Sequence, residues 1–571
     1  MTIARILCAT SLLLAALPAQ GKPSPFRFVP ANSIAVVRMA APAAWQQQFQ
    51  TAQITKWFQS DSLAPLVGML SQGVDQGMAA VRESGKFDAD LLEKLLHDYK
   101  GEIVLSLQLD VAGLVEAMQQ GEDPPMSMTL ALMPDGAFDL AALAKAAEKA
   151  IDEDAPPTRD LTVGDHKLRG MLDGGGDGMT VPQIIDGALV VFGGDGLEEK
   201  LPKLLADEGR WQGDAAPHAL SVEMKFGAAV STFAKFVDDM GAAPISVATV
   251  FEKAGFSALE DLSFTIDADG KHVVGAMNIG FGAGNRGIFD AFMGGSTPPK
   301  SLRYVPPTSD SFSISAFKLG VLYDVVASVW GELGDEVPMT FADVEKAFAD
   351  ATKVRLKEDL IAHLGDEIVA LQDMQAMAAG AAAADEDDPL AGMQGMCLAI
   401  TLRDGKAFGE SLETALRSRG MHAGRKTEEY EGTKVHRLAV GGLFEIEYAT
   451  TDDLLLVGLG KDDSTKRALR SLLDGRKSPG DGSVPAGIKD AVAAMPAGWS
   501  GIQVTRMSTY MSAMLTAMQA GMDRAGEMPE EATMVFGALT KAAGDLGRLG
   551  LDALIATTYA TPKGFVSRFR W

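Results

Sequence analysis

Met374 and Met377 in DMQAM, followed by Met393, Met396 and Cys397 in GMQGMC, set four thioethers and one thiol on either side of a single loop. Two M-x-x-M pairs joined by a hairpin, with a thiolate beside them, form a donor set suited to Cu(I), so these five are the candidate metal ligands. The intervening AAGAAAADEDDPLAG is low in complexity, and its Asp385 to Asp388 run reads as a solvated tip with at most weak calcium affinity. The competing reading is therefore a hairpin in which methionine fills gaps. No cofactor is expected.

Other chemistries fail on the spacing each one needs. The seven histidines form no pair at ligand spacing and no H-E-x-x-H occurs, which argues against a zinc protease. His166 and His436 fall on corresponding strands of a repeat, beside Lys167 and Arg437, and read as solvated. GLGKDDST, Gly458 to Thr465, puts Asp462 where a phosphate loop needs Ser or Thr, and a carboxylate there repels phosphate. FGGDGLEE fails likewise, with Asp195 expected to cap the next helix. SAFK, Ser315 to Lys318, lacks its S-D-N and K-T-G partners, and GWSGI lacks the glycine spacing of a nucleophile elbow. DADG, Asp267 to Gly270, reads as a hairpin turn rather than a calcium loop. An enzyme here would need a site assembled from scattered carboxylates.

The elements that position these residues are legible from periodicity. MSTYMSAMLTAMQAGM places Met507, Met511, Met514, Met518 and Met522 at helical spacing. Corresponding helices carry Phe226, Val230, Phe233, Val237 and Met240, and Leu319, Leu322, Val326, Val329 and Leu333, so the stripe reads as core. The closing GFVSRFRW reads as a last strand with Phe565, Phe569 and Trp571 turned inward, not as an outer-membrane barrel ending.

Repeats give the domain organisation. YKGEIVLSLQL matches HLGDEIVALQ, and MTLALMPDGAFDLAALAKAAEKA matches CLAITLRDGKAFGESLETALRSR, each a strand, an Asp-Gly turn and an amphipathic helix. GDHKLRGML against GTKVHRLAV, and GALVVFGGDGLEEKLPKLLAD against DLLLVGLGKDDSTKRALRSLLD, follow in the same order. The expected fold is α+β, as two tandem duplicated domains at 20–293 and 302–571, each an antiparallel sheet with amphipathic helices on one face. Residues 294–301, GGSTPPKS, are rich in Gly and Pro and suit a linker. Within each half a finer repeat of strand, helices and closing strand pair is also legible.

Residues 1–19 have one basic residue, Arg5, an apolar run too short to span a bilayer, and Ala19 at a cleavage position. This is a secretory signal peptide, and the mature chain is expected in the periplasm or outside the cell with no membrane span. Cys8 leaves with it, so Cys397 has no intrachain partner and stability must come from the core. The formal charge of −25 becomes one unit more negative without Arg5. Such a surface repels nucleic acid phosphate and anionic lipid headgroups, which makes both poor candidate partners, and no nucleic acid is expected.

FVPANSIAVVRM, returning as YVPPTSDSFSISAF, together with the GDEIV strands and the strand-glycine-helix segments, resembles a family of exported bacterial proteins known only as a domain of unknown function. The resemblance implies an envelope location and a duplicated α+β fold, and transfers no site residue. The sequence thus points to an exported, non-catalytic protein for binding or envelope interaction, whose partner would be a protein or a small apolar ligand. The alternatives are a carboxylate-dependent hydrolase and a soft-metal or apolar-ligand carrier.

Overall fold

The structure, a computed structural model, describes residues 24–571 except 86, 110–112, 114–116, 118–124, 152–157, 173–176, 206–209, 242–245, 296–298, 307–308, 310, 335–336, 384–394, 441–443, 460–462, 478–487, 494, 496–497 and 526–529. The signal segment 1–19, Met393, the Asp385 to Asp388 run and Asp462 therefore lie outside the described residues. Helices and a large antiparallel sheet are both present, as the α+β expectation requires.

Packing divides the chain into two compact units. One comprises residues up to Gln50, Gln72–Lys225 and Phe264–Asp267; the other comprises Thr51–Ser71, Phe226–Ser263 and Ala268–Trp571. The boundary thus falls elsewhere than at 294–301. Of its described residues, Ser301 is fully buried with its hydroxyl on Glu367, 2.6 Å away, and Gly295 lies against the Trp499 ring.

The strands of the first unit are β1 (Ala35–Ala40), β2 (Glu102–Leu109), β3 (Met126–Leu132), β4 (Arg159–Val163), β5 (His166–Leu172), β6 (Gly178–Thr180), β7 (Gln183–Ile185), β8 (Ala188–Gly194) and β9 (Leu220–Lys225). They pair antiparallel in the order β9-β1-β2-β3-β8-β6-β5-β4, with β7 also on β8. After β10 (Leu259–Asp269) come β11 (His272–Phe281), β12 (Ser311–Ala316), β13 (Leu364–Gln372), β14 (Met396–Leu402), β15 (Lys426–Tyr430), β16 (Thr433–Val440), β17 (Phe444–Thr450), β18 (Leu454–Leu459), β19 (Trp499–Arg506), β20 (Ala553–Thr561) and β21 (Gly564–Arg570). In the second unit the order is β11-β21-β20-β19-β12-β13-β14-β18-β17-β16-β15. Strand pairing also explains the packing boundary: β11 closes the first sequence repeat but forms its ladder with the last strand of the second.

Helices pack on both faces of each sheet, which corrects the one-face expectation. In the second unit Phe312, Val369, Cys397 and Leu456 meet Leu469, Leu472 and Leu473 of the 463–477 helix on one side. On the other, Ile400 and Leu455 meet Phe408 and Leu412 of the 405–418 helix. Strand side chains alternate between faces, so both sets coexist on the same strands. A 15-residue helix is marginal alone, and three fully buried leucines at about 1.5–3 kcal/mol each are what dock the 463–477 helix. The first unit repeats the scheme, with Val104, Val190 and Phe192 against Leu197 and Leu201, and Ile103, Leu132 and Leu189 against Leu140 and Leu143.

Local chemistry sets the element ends. Asp404 accepts from the Ala407 N–H and starts the 405–418 helix, as the Asp-Gly signal predicts. Asp195 does something else: its carboxylate accepts from the Met126 N–H, pinning strand to loop instead of capping. The β15–β16 turn is Glu431-Gly432, both with positive φ (51° and 79°), which glycine supplies without strain.

The apolar stripes read as core are not core along their length. Met514, Met518, Phe233, Met240 and Val326 are exposed, while Ala513, Leu515, Ala234, Phe236 and Tyr323 carry the burial in those helices. At the C-terminus Phe565 is buried, and Phe569 and Trp571 are half-buried. The Trp571 indole donates to the Leu551 carbonyl.

Candidate functional site

Of the five sulfur ligands predicted from sequence, Cys397 is turned away from the rest, and four lie among the described residues. Met374 and Met377 lie half-buried on the 374–383 helix, and Met396 opens β14 close to the start of that helix. Cys397 is the next residue along the strand and so faces the opposite way, fully buried among Phe312, Val369 and Leu456. Burial, with the nearby Glu447 charge, pushes its thiol far above the usual range, so it holds no thiolate to offer. Met393 is outside the described residues. No cluster of three His, Cys, Asp or Glu side chains suited to a metal occurs among the described residues.

A polar groove in the second unit is built by register instead. In the sheet, Thr427 of β15 pairs with His436 of β16, which pairs with Tyr448 of β17, so three side chains line up across adjacent strands. His436 Nδ1 lies 2.9 Å from the Thr427 hydroxyl, and its ring sits 5.0 Å from that of Tyr448. Above them runs the 405–418 helix, whose Glu413 meets Arg425 at 2.5 Å and Arg417 at 2.9 Å. Arg425 also donates to the Tyr448 hydroxyl at 3.0 Å. Two adjoining hollows of about 470 and 570 Å3 open here and share Gly409, Glu413, Thr450, Thr451 and Asp452. Lys434 and His436 line the first, and Lys406, Glu410 and Arg417 the second.

The Glu413 charge in this groove is fixed by its partners. Hydrogen bonds from Arg425 and then Arg417 hold the Glu413 carboxyl down at about 2. Burial, then the Arg425 charge, lowers His436, so the imidazole is neutral near pH 7. Burial raises Tyr448. His436 is thus neither a solvated strand residue nor a cation.

In the first unit a hollow of about 460 Å3 lies between the 140–151 helix and the β4–β5 hairpin. Glu148 of the helix meets Arg169 at 2.5 Å, and Arg169 also donates to the Thr158 hydroxyl at 2.8 Å. Arg169 is the fourth residue of β5, as His436 is of β16; His166 is the first.

A cleft of about 540 Å3 in the first unit has an apolar lining that includes Pro25, Met133, Pro134 and Pro217, and a floor made by Arg38, Glu102 and His218. Arg38 is 1% exposed. Its guanidinium meets Glu102 at 2.7 Å and donates to the carbonyls of Asp214 and Ala216, so it fastens the loop that forms one wall. His218 fastens the same loop: Nδ1 is 2.5 Å from Asp267 and Nε2 3.4 Å from Asp214. Burial opposes the charged imidazole, but the hydrogen bonds and charges of Asp267 and Asp214 outweigh it, and the His218 pKa is raised.

A raised histidine stabilises the fold fully below its unfolded value of about 6.5, and that contribution disappears as pH rises through the folded value. Unfolding of the first unit is therefore expected to require progressively less denaturant as pH climbs above about 6.5. His218→Gln should flatten that slope, and an unchanged slope would assign it to other groups.

Comparison with family models, with curated proteins and with solved structures finds no match. No helix among the described residues is long and apolar enough to cross a membrane.

Proposed function

We propose that the chain is an exported, non-catalytic binding protein made of two tandem copies of one α+β fold, and that the Glu413–Arg425–His436 groove takes a small polar ligand. The observation that carries this reading is the locking of Glu413, which Arg425 holds at 2.5 Å and Arg417 at 2.9 Å, so that this carboxylate is occupied by two guanidinium groups rather than free to exchange a proton. A neutral imidazole, threonine hydroxyls and opposite charges locked in pairs form a fixed hydrogen-bonding surface, which suits recognition of polar groups.

Duplication is supported by strand order and by register. β9-β1-β2-β3-β8-β6-β5-β4 and β19-β12-β13-β14-β18-β17-β16-β15 run in the same sequence, and Ala40↔Glu102 corresponds to Ala316↔Glu367. β11 and β21 each follow a two-residue turn, and the fifth residues of the two strands, Ala276 and Arg568, lie opposite one another. Val274 faces Arg570 and Met277 faces Ser567, so third meets seventh and sixth meets fourth. That reciprocity is the pattern of an isologous contact between equivalent elements.

The test follows the His436 imidazole resonances by NMR while a panel of sugars, amino acids and short peptides is added. A binder should shift His436, and Lys434→Ala with Thr450→Val should weaken it at least about tenfold, as loss of two hydrogen bonds implies. Turnover of glycosides or esters that disappears in Glu410→Gln, with His436 unmoved by every compound, would overturn the reading in favour of hydrolysis.

A further inference from the structure

Leucine and methionine are sorted in opposite ways. Among the described residues 22 leucines are buried and two are exposed, whereas three methionines are buried and 11 are exposed. The two side chains have similar volume and bury with similar gain, so packing alone treats them as interchangeable. A chain that sends one inward and the other outward is using something leucine lacks, and that is the thioether. The exposed set is spread over both units. Met126 and Met128 alternate along one face of β3, and Met179 stands on β6; in the other unit Met514 and Met518 are one helical turn apart. Dispersal of this kind does not describe a single docking patch.

We propose that the exposed methionines form a stoichiometric sink for peroxide-type oxidants. A sulfur lone pair attacks the terminal oxygen of a hydroperoxide: the S–O bond forms, the O–O bond breaks, and the departing oxygen leaves as water or alcohol after taking up the proton. Sulfur loses two electrons, the peroxide gains them, and each methionine consumes one equivalent as it becomes a sulfoxide. A sulfoxide is polar and damages a core, but sulfurs that already face water can change without disturbing packing. Met133 and Met495, which would do damage, are buried at 6% and 7% exposure. Cys397 is fully buried and stands outside the reaction.

The experiment adds graded hydrogen peroxide to the full chain mixed with a methionine-containing peptide, and reads sulfoxide at each methionine by peptide mass spectrometry beside the thermal midpoint. The exposed methionines are expected to oxidise ahead of Met133 and Met495 while the midpoint holds and the peptide is spared. M126L/M128L/M179L/M514L/M518L keeps six of the 11 exposed sulfurs and should spare about half as much peptide. M240L/M277L/M339L/M534L, altered at other places, keeps seven of the 11 and should lose about a third of the protection. A midpoint that falls with the first sulfoxides, or variants that protect as well as the native chain, would overturn the proposal.

Discussion

Arg38→Ala is expected to destabilise the first unit by about 3–5 kcal/mol, the cost of breaking a buried ion pair and stranding its partner. The guanidinium holds Glu102 and the carbonyls of Asp214 and Ala216, and stacks 5.0 Å over the Phe26 ring. Alanine removes all four contacts at once, leaving a carboxylate and two carbonyls without their donor. Arg38→Lys keeps the charge but cannot span a carboxylate and two carbonyls with one planar fork, so it should recover only part of the loss. Urea unfolding at pH 7 measures both, and limited proteolysis should cut the 212–218 loop in the alanine variant first. A loss under about 1 kcal/mol for alanine would mean the loop is held by His218 and its own backbone.

The parts of the fold that were legible in the sequence are those decided within a few residues. The alternating strands and the strand-turn-helix segment around Asp404 both follow from local chemistry. The groove was not legible, because it depends on register. Nothing near His436 in the sequence says that Tyr448 stands beside it or that Glu413 and Arg425 cap the pair; those neighbours arrive through two ladders and a helix crossing. Arg38 was hidden for a related reason, since an arginine in an apolar strand reads as an edge or surface residue until a loop more than 170 positions on supplies its acceptors. The methionine stripe misled because periodicity reports which residues share a helix face, not whether anything covers that face. Met514 and Met518 share theirs with water. Cys397 misled through adjacency: consecutive strand residues point to opposite faces, so closeness to Met396 in sequence guaranteed separation of the two sulfurs.

Trp499→Ala is expected to cost about 3–5 kcal/mol in the second unit, the range for emptying a buried aromatic site whose walls relax only partly. The indole is fully buried at the start of β19, in the cluster that joins Phe312, Ile314 and Leu456. Its other wall is Gly295. A Cβ there would lie 2.4 Å from the ring, and the Gly295 N–H donates to the Trp499 carbonyl at 2.8 Å, so ring and glycine are fitted to each other by backbone. Gly295→Ala should therefore destabilise by about 1–3 kcal/mol through overpacking. The double variant is the informative one, because alanine at 295 can occupy part of the space that Trp499→Ala vacates. Its loss should be smaller than the sum of the two single losses, the signature of residues in contact. Thermal unfolding of the four proteins measures this coupling. Additive losses would instead mean that Gly295 packs independently of the ring.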